Sequence, residues 1–331
     1  MVPERDIARA VAALQAGDVI GLPTETVYGL AGDASNPAAI ARIFAVKGRP
    51  ASHPVIVHVP GAEHMARWAR DIPPAATQLA ARFWPGPLTL VLPRQPAVLD
   101  AVTGGQDTVA LRVPSHPVAL AVLRAFDGGL AAPSANRYGH VSPTTADHVR
   151  DDLGGEVALV LDGGPSHVGL ESTIVACLDG TVRVLRPGRV TRTDIQAVVG
   201  PLHDATTAVP RVPGSVASHY APRTPVELVD AAQLPATLAT HAAAGRRVAL
   251  LTPGDGQSGE AREDSGVRAR VDVHAHLTAA DTPDGYGREL YAHLRRLDRA
   301  GADTIVVVRP PDGDLWLAIH DRLRRAATPR A

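Results

Sequence analysis

The chain has 331 residues, of which 45% are hydrophobic and 20% charged, and this size and composition suit two globular domains with a substantial core. Its formal net charge is −1, whereas a protein built around nucleic acid usually has a basic excess, so no extended duplex-binding face is expected. The single cysteine, Cys177, excludes a disulfide framework and a cysteine-based zinc site.

The N-terminus is charged and lacks the apolar core of a signal peptide. No apolar run in the sequence approaches the roughly 20 residues that a membrane-spanning helix needs. A cytoplasmic location is therefore expected.

The first two hundred residues alternate between strand and helix signals. An apolar run at residues 19–22 predicts a strand. Ser35-Asn36-Pro37 then predicts the start of a helix, because a polar cap precedes a proline whose missing N–H does no harm in the first turn. Gly48 predicts the end of that helix, which places Lys47 at its C-terminus.

The same pattern continues towards residue 190. Further strands are predicted at residues 55–59, 88–92, 108–113, 129–132, 157–161, 172–176 and 181–185, and further helices at 65–70, at 75–84, after His116-Pro117 and after Ser142-Pro143. Several of the apolar runs neither alternate nor reach helical length, which is typical of strands covered on both faces. The sequence therefore predicts an α/β domain.

Residues 200–225 are rich in Pro, Gly and small polar residues, a composition that predicts a semi-rigid linker. A smaller α/β unit is predicted to follow. Its expected strands lie at residues 226–229, 248–251 and 304–308, its helices at 234–243, 287–300 and 319–327, and a polar Gly-rich loop at 254–266.

One compositional feature singles out Lys47. Of the 33 basic residues, Lys47 is the one lysine and the remaining 32 are arginines. Such a bias indicates pressure to exchange Lys for Arg, so a surviving lysine is a candidate for a place where the compact ammonium is needed, as at a phosphate. Chance survival of one exposed lysine is the alternative.

Polar side chains collect at the ends of the predicted strands, where ligands bind in α/β sheets. They are Thr24, Glu25, Thr26, Lys47, Arg49, Thr108, Arg112, Ser134, Asn136, Ser172, Thr173 and Arg186. Hydroxyls and cations without a His–Asp or Cys–His pair suit an anionic ligand better than nucleophilic catalysis. The sequence has no Walker-type or dinucleotide-type glycine loop, so any ATP would be held by side chains. His274 and His276 lack a third ligand nearby, so they predict a solvent-facing pair and no metal site.

Six segments, in one order, closely resemble the YrdC/YwlC family of threonylcarbamoyl-AMP synthases. They are PTETVYGL at 23–30, KGRP at 47–50, WPGPLT at 84–89, PSAN at 133–136, STI at 172–174 and LRPG at 185–188. Further segments are similar to the linker and C-terminal domain of the two-domain members. These are PG at 213–214, HYAP at 219–222, LRRLD at 294–298 and AIHDRL at 318–323. The resemblance spans nearly the whole chain.

The resemblance implies a large YrdC-like domain at residues 1–199, with a twisted mixed sheet, helices and a deep cavity. A linker at 200–225 and a smaller Rossmann-like α/β domain at 226–331 complete the implied architecture. The family's reaction condenses L-threonine, bicarbonate and ATP to threonylcarbamoyl-AMP and pyrophosphate, with Mg²⁺ expected to arrive on the triphosphate. Other proteins then transfer the threonylcarbamoyl group to the adenosine 3′ of the anticodon in tRNA, so tight tRNA binding is not expected here.

The resemblance also implies roles for individual residues. Lys47 and Arg49 are the implied catalytic residues, in contact with the ATP phosphates. The other implied ATP contacts are Thr108, Ser134, Asn136, Ser142, Arg186 and Tyr220. The implied threonine contacts are Thr24, His58, Arg112, the backbone at Ala132, and Ser172, with Arg112 expected to pair with the carboxylate.

Structural alternatives exist for several of these residues. Thr24 could merely favour a strand, as could Thr26, and Asn136 could supply a turn. Ser142 before Pro143 could be a helix N-cap. His58 could be packed within a strand, and Lys47 could simply favour the dipole of a helix C-terminus.

The sequence departs from the family pattern at two places. His53-Pro54-Val55 stands where Asn-Pro-Leu is usual, and Ser215-Val216-Ala217-Ser218 stands where Met and basic or aromatic residues are usual. The second departure leaves open whether Tyr220 reaches ATP. We hypothesise that the linker and the small domain gate the cavity, because Tyr220 lies in the linker.

Two other functions are alternatives to this one. A carbamoyl-adenylate former would resemble the chain over the large domain only and would carry zinc-finger-like cysteines, which the single Cys177 disfavours. A non-catalytic RNA-binding module is disfavoured by the near-zero net charge and by an aromatic content of 3%.

Overall fold

The structure is a computed structural model that describes residues 2–203, 209–214, 216–254 and 273–329. The chain divides into two compact units. The large unit comprises Met1–Tyr138 and Ser142–Ser215, and the small unit comprises Gly139–Val141 and Val216–Ala331.

The large unit combines a mixed sheet with helices. Its strands are β1 (Ile20–Leu22), β2 (Gly29–Asp33), β3 (Ile56–His58), β4 (Leu88–Pro93), β5 (Thr108–Arg112), β6 (Leu130–Ala131), β7 (Leu159–Val160), β8 (Thr173–Leu178) and β9 (Thr181–Arg186). Its helices are α1 (Glu4–Gln15), α2 (Pro37–Lys47), α3 (Met65–Trp68), α4 (Pro74–Phe83), α5 (Asp100–Thr103), α6 (Pro117–Phe126), α7 (Ala146–Leu153) and α8 (Arg192–Val199). Within the described residues these strands form one sheet in the order β7-β1-β2-β6-β3-β5-β4-β8-β9. The α/β prediction is confirmed.

Helix α2 begins and ends where the sequence predicts. The Asn36 side chain accepts the Ala38 N–H at 2.9 Å, and Pro37 occupies the first turn. Gly48 ends the helix with a φ of 61°, the left-handed conformation that glycine adopts at low cost. Lys47 is therefore the last residue of the helix, and its side chain is buried.

The two faces of the large sheet differ in what covers them. Successive residues of β5 alternate between the faces. Val109 and Leu111 belong to the main core, where they join apolar residues of the helices. Ala110 belongs to a smaller apolar cluster on the other face, together with Ile56, Val91, Ile174, Ala176 and Val212. We call this second face, which also carries Arg112, the site face.

One predicted helix start is wrong. Ser142-Pro143 does not begin helix α7, which starts at Ala146. Thr145 caps it instead, since its hydroxyl accepts the His148 N–H at 3.2 Å. Any of several hydroxyl residues near Pro143 could serve as a cap, and only the backbone path selects Thr145.

The sequence reading assigned no element to residues 4–15 or to residues 29–33, where the structure has α1 and β2. Helix α1 buries Ala10 and Leu14 against α6 in a second apolar cluster. Strand β2 is short and Gly-rich, so its apolar pattern is weak. It pairs with β1 and β6, and this pairing compensates for the low strand propensity of glycine.

Part of the segment predicted to be a linker packs on the large unit. Val212 is buried in the cluster of the site face. The Arg211 N–H donates to Gln106 Oε1 at 2.7 Å, and the Pro213 carbonyl accepts from Arg186 Nη1 at 2.9 Å.

The small unit contains a parallel sheet. Its strands are β10 (Val226–Val229), β11 (Val248–Pro253), β12 (Ala275–Ala279) and β13 (Thr304–Val308), and its helices are α9 (Leu234–Ala243), α10 (Pro283–Asp298) and α11 (Leu317–Ala327). Across the described part of this unit the strand order is β10-β13-β11-β12, and every neighbouring pair is parallel. The prediction of a second α/β unit is confirmed. Most of the predicted loop at 254–266 lies outside the described residues.

The predicted solvent-facing histidine pair is wrong for one member. His276 is buried, and its Nε2 lies 2.9 Å from the Thr252 hydroxyl on the neighbouring strand. His274 is exposed and its Nε2 contacts the Ala300 carbonyl at 2.7 Å. Parallel pairing of β11 with β12 brings Thr252 beside His276, a contact that spacing along the chain does not reveal.

Candidate active site

Arg112 is the hub of one polar cluster on the site face. Its Nη2 donates to Glu25 Oε1 at 2.6 Å, its Nη1 to Thr26 Oγ1 at 2.8 Å and its Nε to the Gly86 carbonyl at 3.2 Å. Arg112 is 3% exposed and Glu25 is fully buried. The parallel pairing of β3 with β5 sets His58 beside Arg112, so both side chains stand on the same face at the carboxyl ends of these strands.

Glu25 lies in a turn that is held from both sides. The Thr24 hydroxyl donates to the Val27 carbonyl at 2.5 Å, which closes the turn. A second segment fixes it from outside, because the Val168 N–H donates to the Glu25 carbonyl at 2.7 Å and the Ser166 hydroxyl donates to the Thr24 carbonyl at 2.9 Å. The Thr24 hydroxyl therefore serves the turn, and in this cluster it is Thr26 that contacts Arg112.

Burial acts in opposite directions on the pKa values of Glu25 and His58, although both values end up lowered. Burial of the Glu25 carboxyl favours the neutral form and raises its pKa. The charge and hydrogen bond of Arg112, together with the backbone N–H groups of Glu25 and Ser115, outweigh burial and lower the pKa of Glu25 below 4.5. Burial lowers the pKa of His58 to about 3, with the nearby Arg112 charge acting in the same direction. At neutral pH the cluster therefore holds an ionised Glu25, a charged Arg112 and a neutral His58.

Lys47 occupies a second cluster. Its Nζ donates to the Asn136 carbonyl at 2.6 Å and to the Ser134 carbonyl. The segment that carries Ser134 and Asn136 runs beside β2, since the Ala135 N–H donates to the Tyr28 carbonyl at 2.8 Å. Pairing between sheet strands therefore brings together the lysine of α2 and the loop after β6.

The ammonium of Lys47 is held at an energetic cost. Burial lowers its pKa well below 10.5, and the neighbouring Arg49 charge lowers it further. Among the described residues, no carboxylate lies within ion-pair distance of Nζ, and its acceptors are neutral carbonyls. An arrangement of this kind favours the arrival of an anion.

Arg49 lies in the loop after α2, two residues beyond Lys47, and its charge acts on the Lys47 ammonium. Its Nη2 donates to the Pro54 carbonyl at 2.8 Å, and its guanidinium lies 5.7 Å from the centre of the Tyr138 ring. Tyr138 in turn contacts His53, with 2.9 Å between its hydroxyl and Nδ1. In this chain, His53, which departs from the family pattern, therefore contacts the ring over which Arg49 lies.

A chain of buried polar contacts links Ser172 to Arg186. Arg186 Nη2 donates to the Ser172 carbonyl at 2.8 Å, and the Ser172 hydroxyl lies 2.7 Å from the hydroxyl of Thr89. Next to Ser172 along the chain, Glu171 Oε1 accepts the Ser142 hydroxyl at 2.6 Å. The structure thus brings together three residues of the predicted set that are far apart in sequence, namely Ser142, Ser172 and Arg186.

Three further residues complete the predicted set. Thr108 is at the amino end of β5, about 13 Å along the strand from Arg112 at ~3.3 Å per residue. Ala132 lies just after β6, and its N–H donates to the Ile56 carbonyl at 3.1 Å. Tyr220 belongs to the small unit, where it is buried with its ring centre 5.8 Å from that of Tyr291.

Sequence reasoning assigned no role to Glu25, Thr89 or Glu171, although each contacts a predicted site residue. Glu25 and Thr89 fall inside two of the motifs, PTETVYGL and WPGPLT, so their positions were visible. Glu171 directly precedes Ser172. Their partners could not be read from the sequence, because the contacts depend on strand pairing over long separations.

The whole arrangement suits a ligand with several negative charges. Its cations Lys47, Arg49, Arg112 and Arg186 are buried, while the carboxylates of Glu25 and Glu171 are each bonded to a protein donor. Among the described residues there is no group of three or more His, Cys, Asp or Glu side chains that could hold a metal ion. Within the same residues, no helix is long and apolar enough to cross a membrane.

Comparisons with known proteins identify the family. The Sua5/YciO/YrdC family model, described as telomere recombination, matches residues 12–188, and the model of the threonylcarbamoyl-AMP synthase C-terminal domain matches residues 190–328. A threonylcarbamoyl-AMP synthase of Bacillus subtilis is 39% identical over 97% of this chain and 92% of its own length. One from Pyrococcus abyssi is 35% identical over 98% of this chain and 95% of its own length. The crystal structure of P. abyssi Sua5 complexed with L-threonine superposes with a TM-score of 0.89 at 36% identity, covering 99% of this chain and 95% of that one.

Proposed function

The chain belongs to the Sua5/YciO/YrdC family of threonylcarbamoyl-AMP synthases, and we propose that it condenses L-threonine, bicarbonate and ATP to threonylcarbamoyl-AMP and pyrophosphate. In enzyme terms it is a nucleotidyltransferase, because an adenylyl group moves from ATP to N-carboxy-threonine. Its product would serve tRNA modification, in which other proteins pass the threonylcarbamoyl group to the adenosine 3′ of the anticodon.

The observation that carries this proposal is the buried ammonium of Lys47. It is 2% exposed, and its acceptors are two backbone carbonyls. Carbonyl dipoles offset only part of the cost of burying a cation. Phosphate oxygens would supply the missing negative charge, so the site is prepared for a polyphosphate before ATP arrives.

The chemistry requires little beyond positioning and charge. The threonine amine takes up CO₂ derived from bicarbonate to give a carbamate, with release of a proton from the amine. A carbamate oxygen then forms a bond to the α-phosphorus while the bond from that phosphorus to the bridging oxygen breaks, and pyrophosphate leaves. Alignment of the two partners and stabilisation of the developing charge account for most of the rate in such transfers.

Different residues would bind the ATP and the threonine. Lys47 and Arg49 would contact the phosphates, with Thr108, Ser134, Asn136, Ser142 and Arg186 around the nucleotide. Arg112 would take the carboxylate of threonine, and His58, neutral at pH 7, would accept or donate a hydrogen bond there without adding charge. Tyr220 stays a prediction as an ATP contact.

Mg²⁺ would arrive with ATP. It binds triphosphates largely through phosphate oxygens and water, with few protein ligands. The groups bonded to the Lys47 ammonium are carbonyls, and the charge with the largest effect on it is that of Arg49. The two cations fit the phosphates better than they fit the metal, so the ion would supply charge neutralisation from the ligand's side.

A direct assay tests the proposal. The purified full-length chain is incubated with ATP, Mg²⁺, bicarbonate and L-threonine, pyrophosphate is measured, and the adenylate is identified by mass spectrometry. We expect pyrophosphate release only when threonine and bicarbonate are both present. Release that ignores threonine would contradict the proposal, and salt-sensitive RNA binding without pyrophosphate release would favour the RNA-binding module instead.

A further inference from the structure

Glu25 is a buried carboxylate whose second oxygen is unused. Its Oε1 accepts from Arg112 Nη2 at 2.6 Å, whereas Oε2 is buried and accepts no hydrogen bond of good geometry among the described residues. The backbone N–H groups of Glu25 and Ser115 lie close enough to lower the pKa of the carboxyl, but they do not satisfy Oε2. A buried acceptor left without a donor costs free energy. In the proposed site a donor can come from the ligand.

The positive charge of Arg112 is cancelled by the negative charge of Glu25. Glu25 contributes one negative charge and Arg112 one positive charge, and the two form an ion pair. His58, on the adjacent strand, is neutral because its pKa is lowered to about 3. The pKa of His116, whose ring is near Glu25, is also lowered from 6.5 by burial, so this histidine is neutral at pH 7 as well. The amino-acid end of the site therefore has no net charge before the substrate binds.

Neither member of the pair is free to move away. The backbone of Glu25 is held by the Val168 N–H, and that of Thr24 by the Ser166 hydroxyl. Arg112 is held by Thr26 and by the Gly86 carbonyl. A guanidinium has more N–H donors than these protein acceptors use, so Arg112 can accept a substrate carboxylate without releasing Glu25.

We infer that Glu25 is a specificity-determining residue that makes this site select a zwitterionic amino acid over a carboxylate lacking an ammonium group. The inference rests on the proposed function, because it assumes that the amino acid binds at Arg112. A substrate carboxylate on Arg112 would leave the buried cluster with an excess negative charge. The ammonium on the adjacent carbon cancels that charge and offers Oε2 the donor that it lacks.

The test compares two ligands in the full-length protein. One is L-threonine, and the other is 2,3-dihydroxybutyrate of matching configuration, in which a hydroxyl replaces the ammonium. Dissociation constants are measured by calorimetry for the wild type and for Glu25→Gln. We expect Glu25→Gln to bind threonine about tenfold to a hundredfold more weakly, the range for a hydrogen bond to a charged group. The hydroxy acid should bind as well as before or better, so the ratio of the two constants shifts.

Two matched variants separate charge selection from simple loss of structure. Glu25→Asp keeps the charge, so it should keep the wild-type ratio even if both affinities fall. Asp194→Asn removes a carboxylate of the large unit that bonds Thr191 and not Arg112, and it should also leave the ratio unchanged. A purely structural role for Glu25 would weaken both ligands equally in Glu25→Gln, and that result would overturn the inference.

A further variant covers the case in which Glu25→Gln does not fold. The double variant Glu25→Gln/Arg112→Gln leaves neither charge buried alone, and we expect it to bind both ligands weakly and without preference. Retention of the wild-type ratio in the double variant would also overturn the inference. Pyrophosphate release by the wild type is scored separately, so a wild type that turns over threonine while the ratios stay constant rejects this inference alone.

Discussion

Two buried cations, Arg322 in the small unit and Lys47 in the large unit, have different partners. In the small unit, Asp321 accepts from Arg322 at 2.8 Å, from Arg325 at 3.0 Å and from Arg324 at 3.1 Å. In the large unit, Lys47 donates to neutral carbonyls. The first arrangement matches opposite charges and serves stability, whereas the second leaves a charge for a ligand to neutralise. The comparison teaches that a buried cation without a carboxylate partner is the stronger indication of an anion site. It concerns Lys47 and not every cation of the large unit, since Arg112 is paired with Glu25.

The small unit's cluster also fixes a ring. The Arg322 guanidinium lies 5.2 Å from the centre of the Tyr220 ring, and Tyr220 adopts a φ of 60°, in the left-handed region that non-glycine residues rarely occupy. Surrounding contacts must compensate for that strain. Asp321, which is 5% exposed, contributes by holding Arg322 in place.

The largest expected effect comes from removing the charge of Asp321, the carboxylate that the three arginines of the small unit share. Asp321→Asn leaves buried guanidinium charge uncompensated, so we expect the small unit to lose about 3 kcal/mol of unfolding free energy. Chemical denaturation followed by circular dichroism measures the change. Asp312→Asn, which alters a fully exposed carboxylate, is the control and should change little. Equal stability of Asp321→Asn and wild type would contradict the structural reading of the cluster.

The Asp321 cluster also makes the stability of the small unit depend on pH. Burial alone would raise the pKa of Asp321, but the charges of its arginine neighbours and the hydrogen bond from Arg325 lower it below 3.8. A lowered folded-state pKa stabilises the protein above the unfolded value, and that stability is lost as pH falls through the folded value. Acid titrations should show this loss in the wild type and a smaller loss in Asp321→Asn.

The second expected effect concerns catalysis. Lys47→Arg keeps the positive charge but replaces a compact ammonium with a wide fork that does not fit between the two carbonyls. We expect kcat/KM for pyrophosphate release to fall by about a hundredfold, the size seen when one donor to a developing charge is lost. Arg150→Lys, an exchange at the exposed surface, is the control. Wild-type turnover in Lys47→Arg would mean that the lone lysine is incidental.

In the third prediction, one substitution at Lys47 raises the stability of the large unit and abolishes ATP binding. Lys47→Met removes a buried cation that lacks a carboxylate partner, so we expect the large unit to gain about 1 kcal/mol while ATP binding is lost. The lowered pKa of Lys47 makes the unfolded state bind the extra proton, so wild-type stability should rise with pH between that lowered value and 10.5. Lys47→Met should lack this rise. Denaturation midpoints measured across that range decide the point.

The smallest expected effect separates two neighbouring hydroxyls. Ser142→Ala removes a hydroxyl placed in the polar clusters, and we expect ATP to bind about fivefold more weakly, in line with ~1 kcal/mol for one hydrogen bond. Thr145→Ala removes the cap of α7, and we expect about 1 kcal/mol less stability with unchanged ATP affinity. If the two effects were exchanged, Ser142 would have only a structural role.

Much of the fold was predictable because its signals are local. The start of α2 at Asn36-Pro37 and its end at Gly48 depend on residues within one turn of each other. Strand β13 follows from an apolar β-branched run of the right length, and β10 from a short segment with three apolar residues. Strand β2 was missed since its glycines carry no such pattern, and the cap of α7 was misplaced since several hydroxyl residues compete for it.

In the candidate site, too, local features were predictable and long-range contacts were not. By itself the sequence determined the residue types, the ordered motifs, the family resemblance and the isolation of Lys47 among arginines. Only the tertiary structure decided that Lys47 lies between the carbonyls of Ser134 and Asn136, and that Glu25 neutralises Arg112. These contacts join residues about 90 positions apart, as with the separation of 87 between Glu25 and Arg112. Strand pairing sets such distances, and the register that creates the pairing depends on the whole sheet at once.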